Sequence, residues 1–486
     1  MRKINSCAIL LVLCLISRQV SAQQDKWDLK RCVEYAINNN ISIKQSDIDA
    51  RTAELTYKQA KASQFGSANF STSLGFNFGR SVNPTTNLYT TSQILSQGLG
   101  LNAGATLFNW FSVRRAIDAA KLNYEAYNVT IDRVKNDVTL NVAAAYLNAL
   151  LAREQVSLSK TKILLTRNQL DNTLKLVNAG SVPELNAAEL ESQLALDSST
   201  LIGNQETYDL NILQLKGTLS LDAAVPFQLD TPSVESIPVE PIAQNPPDLV
   251  YALAEKSFPQ QRINDLYIAS NEKLVQYYKG VLYPSLSING SLGDNFANDL
   301  RRQVITQGPD IQTNSLYVLD ATGKNYVYQP TFTQDFVHQP FSKVWTGYGN
   351  QLDNNFRQYV GLTLSVPIFN GNQARTNYEK SKLNVQTATL KKQTDLLNLK
   401  QGIYQAYYNA VAALEKFEAN KKSVSTASRS FDLASKRYNV GLLNTIDYLT
   451  NQNNLFTAQI NQLLSQYDYV FKMKVLEFYK GLGIKL

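Results

Sequence analysis

The sequence predicts a mainly α-helical chain with a smaller share of membrane-type β-strand, the whole pattern built twice. Three observations carry that prediction. Short motifs recur 261 residues apart: Phe108-Asn109 and Phe369-Asn370, "KLN" at 121 and 382, Ala-Tyr-x-Asn at 145–148 and 406–409, and Gly180 and Gly441. Two runs, 111–178 and 372–439, contain no Pro and keep a mostly apolar stripe in steps of three or four residues. Four segments of about ten residues alternate apolar with small polar side chains, the pattern of strands that face lipid on one side and water on the other.

The elements follow in order. "MRKINSCAILLVLCLISRQVSA" at 1–22 has a basic start, a short apolar stretch and a Val-Ser-Ala end. It is expected to be a signal peptide, too short for a good membrane span. Neither Ser6-Cys7 nor Leu13-Cys14 has the setting of a lipid-attachment site. Cleavage would remove Arg2, Lys3 and Arg18, taking the formal charge from +7 to +4, and would leave Cys32 without a disulfide partner. Its expected role is a small buried side chain. No basic cluster points to nucleic acid.

The first repeat spans 23–220. A helical pattern at 28–65 leads into a strand at 69–79, where Phe70, Leu74, Phe76 and Phe78 oppose Asn69, Ser71, Ser73 and Asn77. A loop at 80–97 and a strand at 99–107 follow. The glycines of "GLGLNAG" at 98–104 lie on that strand's polar face, with the wrong spacing for a dinucleotide loop. The long run 111–178 carries a stripe from Val113 through Tyr127, Val142 and Ala149 to Val156. As one helix it would extend roughly 100 Å at 1.5 Å per residue. Its Ala-rich stripe suits close packing in a sheet or tube of helices. Gly180 is placed as a left-handed helix cap, and a return helix follows at 184–219.

Six of the fourteen prolines fall in 221–247, which reads as a linker. The second repeat spans 248–486: a helical pattern at 248–283, strands at 285–293 and 359–368, the long helix 372–439, Gly441, and a return helix at 445–480. The beginnings of the halves match at a spacing of 218, so the second half carries an insertion of 43 residues. It falls in 294–358, which is rich in Asn, Gln, Tyr, Gly and Thr and reads as a long polar loop. The same alternation fits a half-buried soluble sheet, but the export signal favours the membrane; four strands cannot close a membrane barrel, so if they form one, several chains must share it.

Catalysis finds no support. The single histidine, His338, rules out a two-histidine metal site, and neither a phosphate loop nor a paired-carboxylate site is present. No cofactor is expected. A trimeric coiled-coil stalk or adhesin is the alternative to a channel, although strands interrupting the helices twice do not suit it.

With "SVPIFNGNQAR" at 365–375 and "VGLLNTIDYL" at 440–449, the chain resembles the TolC family of outer-membrane efflux and secretion channels over essentially its whole mature length. The resemblance implies a homotrimer in outer-membrane lipid, with twelve strands in one barrel and a helical barrel through the periplasm. It implies a passive channel, served by a periplasmic adaptor (a membrane fusion protein) and an inner-membrane pump of the RND or ABC type. The family's docking motif falls on Val440, Gly441 and Leu442, with a weaker copy on Ala179, Gly180 and Ser181. An acidic constriction ring in some members falls on Asp447. Thr450 stands where a second acid would be, and the corresponding first-repeat residues are Asn186 and Glu189. The 294–358 loop is expected to face the exterior and to be dispensable for transport.

Overall fold

A computed structural model describes residues 26–82, 87, 89–230 and 237–481. The expected signal peptide lies outside the described residues. The chain divides into two compact units, one made of 1–56, 120–271 and 383–486 and the other of 57–119 and 272–382.

The first unit is helical. Its long helices are α3 (Ser112–Asn178) and α9 (Gln373–Asn439), both of whose first residues belong to the second unit. Their return helices are α4 (Glu184–Leu219) and α10 (Thr445–Tyr479). The expected bounds of all four hold to within a residue. Stripe residues from Val138 onward in α3, and Leu399, Ile403, Ala406, Ala410 and Ala413 in α9, are buried. Two expected helices are instead broken. The 28–65 pattern divides at Asn40 into α1 (Leu29–Asn39) and α2 (Ile41–Ala62), because the Asn40 backbone is extended and its side chain turns to accept from the Ser42 N–H. The 248–283 pattern divides into α5 (Pro247–Ser257) and α6 (Pro259–Gly280), because Phe258, preceding a proline, is driven out of the helical region.

The core of this unit gathers Trp27, Cys32, Val142, Tyr146, Leu150, Leu215, Leu219 and Leu229. The Tyr146 hydroxyl donates to the Asp230 carbonyl at 2.9 Å, and Trp27 bridges Leu229, so the start of the Pro-rich linker is packed down. Burial pushes the Cys32 thiol up to about 12, as befits a small core residue.

The second unit is a four-stranded antiparallel sheet, ordered β1 (Ser67–Val82), β2 (Tyr89–Phe108), β3 (Ser285–Asp299) and β8 (Arg357–Ser365). Registered pairs set Phe70, Leu101 and Leu292 on one face, with Phe76 and Leu95, and Ile288 and Leu362, on the same side. Asn69 and Asn102, Ser71 and Gly100, and Asn289 and Gly361 share the other. The apolar face is exposed in a single chain: Phe70 is 66% and Leu362 66% accessible. Pro367 lies beyond the end of β8, so the expected 359–368 strand stops at Ser365.

Two expectations fail here. The 80–97 segment is mostly strand, since β1 continues to Val82 and β2 begins at Tyr89. The 294–358 segment is built, not a loose loop. It contains β4 (Arg301–Gln307), β5 (Ile311–Asp320), β6 (Gly323–Gln329) and β7 (Phe332–His338), with β4 pairing β7 and β5 pairing β6. Helices α7 (Phe341–Val344) and α8 (Tyr348–Asn355) then return the chain to β8. Val344, Trp345 and Tyr348 bury Phe296 and Leu95 on the sheet's apolar face, with the Phe296 and Trp345 rings stacked at 5.3 Å. The Gln351 side chain accepts from the Ala297 N–H at 3.0 Å and donates to its carbonyl at 3.1 Å.

The turns into the long helices repeat at backbone level. Trp110 and Phe111 have φ of +53° and +62°, and Gly371 and Asn372, 261 residues on, have +63° and +64°. In the first turn this left-handed pair is aromatic, at a cost of roughly 1–2 kcal/mol per residue. The indole N–H of Trp110 donates to the Pro284 carbonyl at 2.9 Å, and its ring lies 4.9 Å from that of Tyr283.

Candidate functional site: the paired helical tips

Both long helices of the first unit end in the same cap. At the first tip, Gly180 N–H donates to Val177 O and Ser181 N–H to Leu176 O, each at 2.9 Å. At the second, Gly441 N–H donates to Tyr438 O at 3.0 Å and Leu442 N–H to Arg437 O at 2.8 Å. This is the Schellman pattern, which needs a left-handed residue after the helix. Gly180 (φ +68°) and Gly441 (φ +74°) supply it. A Cβ at either would meet nothing within 4 Å, so backbone conformation alone selects glycine.

The turns differ in what they display. Val440 and Leu442 are each 69% accessible, whereas the next exposed apolar position, Ile446, has an equally exposed counterpart in Leu185. Ala179 and Ser181 present little apolar surface at the first tip. The second return helix opens on a side-chain cap: Asn444 accepts from the Asp447 N–H at 2.7 Å and donates to the Asp447 carboxylate at 2.9 Å. Pro183 occupies the equivalent place in the first tip and offers no side-chain cap.

The structure brings the tips together around a pocket of about 550 Å³ lined by Ser181, Asn186, Gly441, Leu442 and Asn444 among others. Asp447, Thr450 and Glu189 are not part of that lining. Asp447 and Thr450 are exposed and Glu189 is half-buried. Among the described residues, neither Asp447 nor Glu189 forms an ion pair. Within one chain, therefore, the two acids do not make a joint site.

Two anchors behind the tips were missed in the sequence. The first is aromatic. Tyr448 is 1% accessible, stacks on Tyr438 at 4.6 Å, and packs with Leu170, Ala187, Leu190 and Leu449. Burial, with the Tyr438 phenol beside it, pushes the Tyr448 hydroxyl up to about 12. The second is polar and lies deeper. Asp197, 3% accessible, accepts from Lys162 at 2.8 Å, Thr166 at 2.8 Å and Gln193 at 2.7 Å. Lys162 also donates to Asn453 at 2.7 Å, and Gln452 donates to Thr166 at 3.1 Å, so the network ties α3 and α4 to α10. Asp197 within the "LALDSST" stretch is the available signal, since a buried carboxylate must be paired. Sequence spacing could not supply its partners.

Among the described residues no group of three or more His, Cys, Asp or Glu could hold a metal ion, and no helix is long and apolar enough to cross a membrane. Among the described residues the arrangement offers exposed turn surfaces and the pocket between them, with no group of side chains placed for a reaction.

Residues 32–219 and 345–479 match the family described as outer membrane efflux protein. Outer membrane protein TolC of Escherichia coli K12 is 23% identical over 392 residues, covering 79% of this chain and 70% of that protein. Toxin and drug export protein A of Aggregatibacter actinomycetemcomitans is 21% identical over 474 residues, covering 94% of this chain and 88% of that one. The fold is also that of CusC, whose crystal structures concern folding and transmembrane channel formation. That chain superposes with a TM-score of 0.72 at 15% identity, covering 95% of this chain and 93% of the other.

Proposed function

The chain belongs to the outer membrane efflux protein family, and from that premise we propose that it forms the outer-membrane conduit of a tripartite efflux or type I secretion system. It is an outer-membrane efflux channel rather than an enzyme, and the stalk or adhesin alternative is not favoured. The finer reading is a homotrimer that receives substrate through a periplasmic adaptor from an RND or ABC pump.

One observation carries this reading. The sheet has an apolar face, a face of Asn, Ser, Gly and Thr, and edges at β1 and β8 with no strand beyond them among the described residues. Unpaired edges are intolerable in lipid, so copies must close the sheet, and the polar face then lines a pore. Three copies give twelve strands, within the range of membrane barrels. Their paired tips would supply six turns for adaptor docking, with Val440, Gly441 and Leu442 as the principal contact and Ala179, Gly180 and Ser181 as the lesser one. Three copies of Asp447 would line the constriction, with Glu189 contributed from the neighbouring hairpin and Asn186 and Thr450 as neutral neighbours.

Planar-bilayer recording of the purified protein tests the channel. Stepwise conductance is the expected outcome, and protein that inserts without conducting would instead support a stalk. Cross-linking in detergent should saturate at three chains. Saturation at two or four would overturn the trimer.

A further inference from the structure

The insertion in the second unit contains a pocket of about 800 Å³ that the channel reading does not use. Its lining includes Arg301, Arg302, His338, Lys343 and Asn298 and carries no carboxylate. Arg301 and His338 face each other across the β4–β7 pair. Arg301 is set in place, 3.7 Å from Asp299 and 5.1 Å over the Phe336 ring. Arg302, His338 and Lys343 are exposed. Permanent cations with amide and imidazole groups suit a phosphate-type anion.

Position decides which anion. Asn298 pairs with Leu95, and through it shares the face of Phe76, the apolar side of the sheet. Asn298 also donates to the Val344 carbonyl at 2.7 Å, tying the pocket floor to α7. Exposed Val337 lines the same pocket, and Phe336 and Phe341, also exposed, each precede or follow a lining residue in the chain. This rim is the end of the sheet away from the turn into α3. A basic pocket at the end of an apolar face, with exposed aromatic residues next to it in the chain, is matched to a headgroup at the bilayer surface whose acyl chains lie against that face.

We propose that the Arg302, His338 and Lys343 pocket binds the phosphorylated headgroup of an outer-leaflet glycolipid. The site is separate from the tips. The proposal rests on the outer-membrane placement and not on adaptor docking, so a channel that conducts but fails to hold the lipid overturns this proposal alone.

The test uses the full-length assembled channel in detergent, with diphosphoryl lipid A, its dephosphorylated counterpart and inorganic phosphate as probes, read by native mass spectrometry. Each lost charge-assisted contact weakens binding, so R302Q/K343Q should bind diphosphoryl lipid A about tenfold more weakly than wild type. The charge-keeping R302K/K343R should stay within about threefold. Dephosphorylated lipid should bind wild type as weakly as the parent lipid binds R302Q/K343Q, and millimolar inorganic phosphate should leave lipid A bound. Should the double variant fail to assemble, R302Q and K343Q are measured singly, each expected to show an intermediate loss. Equal retention by wild type and variants, or indifference to the lipid's phosphates, overturns the proposal. So does displacement by inorganic phosphate, which would make the pocket a site for soluble anions.

Discussion

The two helical hairpins end in backbone turns that match hydrogen bond for hydrogen bond, yet they are anchored by different physics. Behind the first tip lies a buried charge, Asp197, held by Lys162, Thr166 and Gln193. Behind the second lies an aromatic stack, Tyr438 on Tyr448. At the 261-residue spacing Asp197 corresponds to Ala458 and Tyr448 to Ala187, so each hairpin has alanine where the other has its anchor. The backbone cap depends only on one left-handed residue and survives any side-chain change that keeps glycine. The packing behind it has no such constraint and diverges.

The largest test of that contrast is Asp197→Ala. It leaves Lys162 buried without its carboxylate, and breaking a buried pair by one partner costs about 3–5 kcal/mol. Hydrogen exchange in α3 and α4 should rise sharply. Protection unchanged from wild type would show the network to be incidental. Next is Tyr448→Ala, expected to cost about 3 kcal/mol or more from the cavity left beside Tyr438. Its effect should reach α3 and α4 as well as α10, because Leu170, Ala187 and Leu190 pack with the ring, whereas Ala187→Gly should cost about 1 kcal/mol through helix propensity. Comparable loss at the two positions would erase the distinction drawn between the anchors.

Leu442→Asp addresses function. It should weaken adaptor capture by about tenfold, near 1.4 kcal/mol, with Ser181→Asp costing less. Equal losses would make the tips equivalent docking surfaces. Gly180→Ala and Gly441→Ala should each cost about 1 kcal/mol, and alike, because both glycines stand in open space at nearly the same φ. The smallest effect is expected from Asp447→Asn with Glu189→Gln. If the two acids share the proposed constriction, removing their carboxylates reduces cation selectivity, read as reversal potential across a salt gradient. An unchanged potential would leave Asp447 as a helix-capping partner of Asn444 and nothing more.

The contrast also explains what the sequence revealed. The long helices were legible because sixty-odd residues without a breaker leave few alternatives, and because Gly180 and Gly441 mark their ends. Asp447 and Glu189 could be placed near the tips, but their relation to each other could not, since spacing along the chain does not fix how residues of two separate helices meet. The insertion was illegible for a different reason. Strands β5 and β6 are exposed along almost their whole described length, so no buried face imposes a period of two on their residues. The breaks at Asn40 and Phe258 left the apolar pattern running straight through. Only the residue before Pro259 hinted at a bend.

The side chain of Gln351 has a wider consequence. By bonding to both backbone groups of Ala297 it occupies the margin of β3 beyond the reach of β8, and Asn355 does the same at the Asn295 carbonyl, at 2.7 Å. Lateral growth of the sheet there is stopped by two amides instead of another strand. In a barrel closed by copies of this chain, the seam between neighbours is then no longer than β8, at 9 residues, whereas β1 across it has 16. Every protomer boundary would then match the nine-pair β3–β8 zipper inside the chain and fall short of the sixteen pairs of β1–β2, so β8 would be held by two short zippers and forced unravelling of the wall would begin along it.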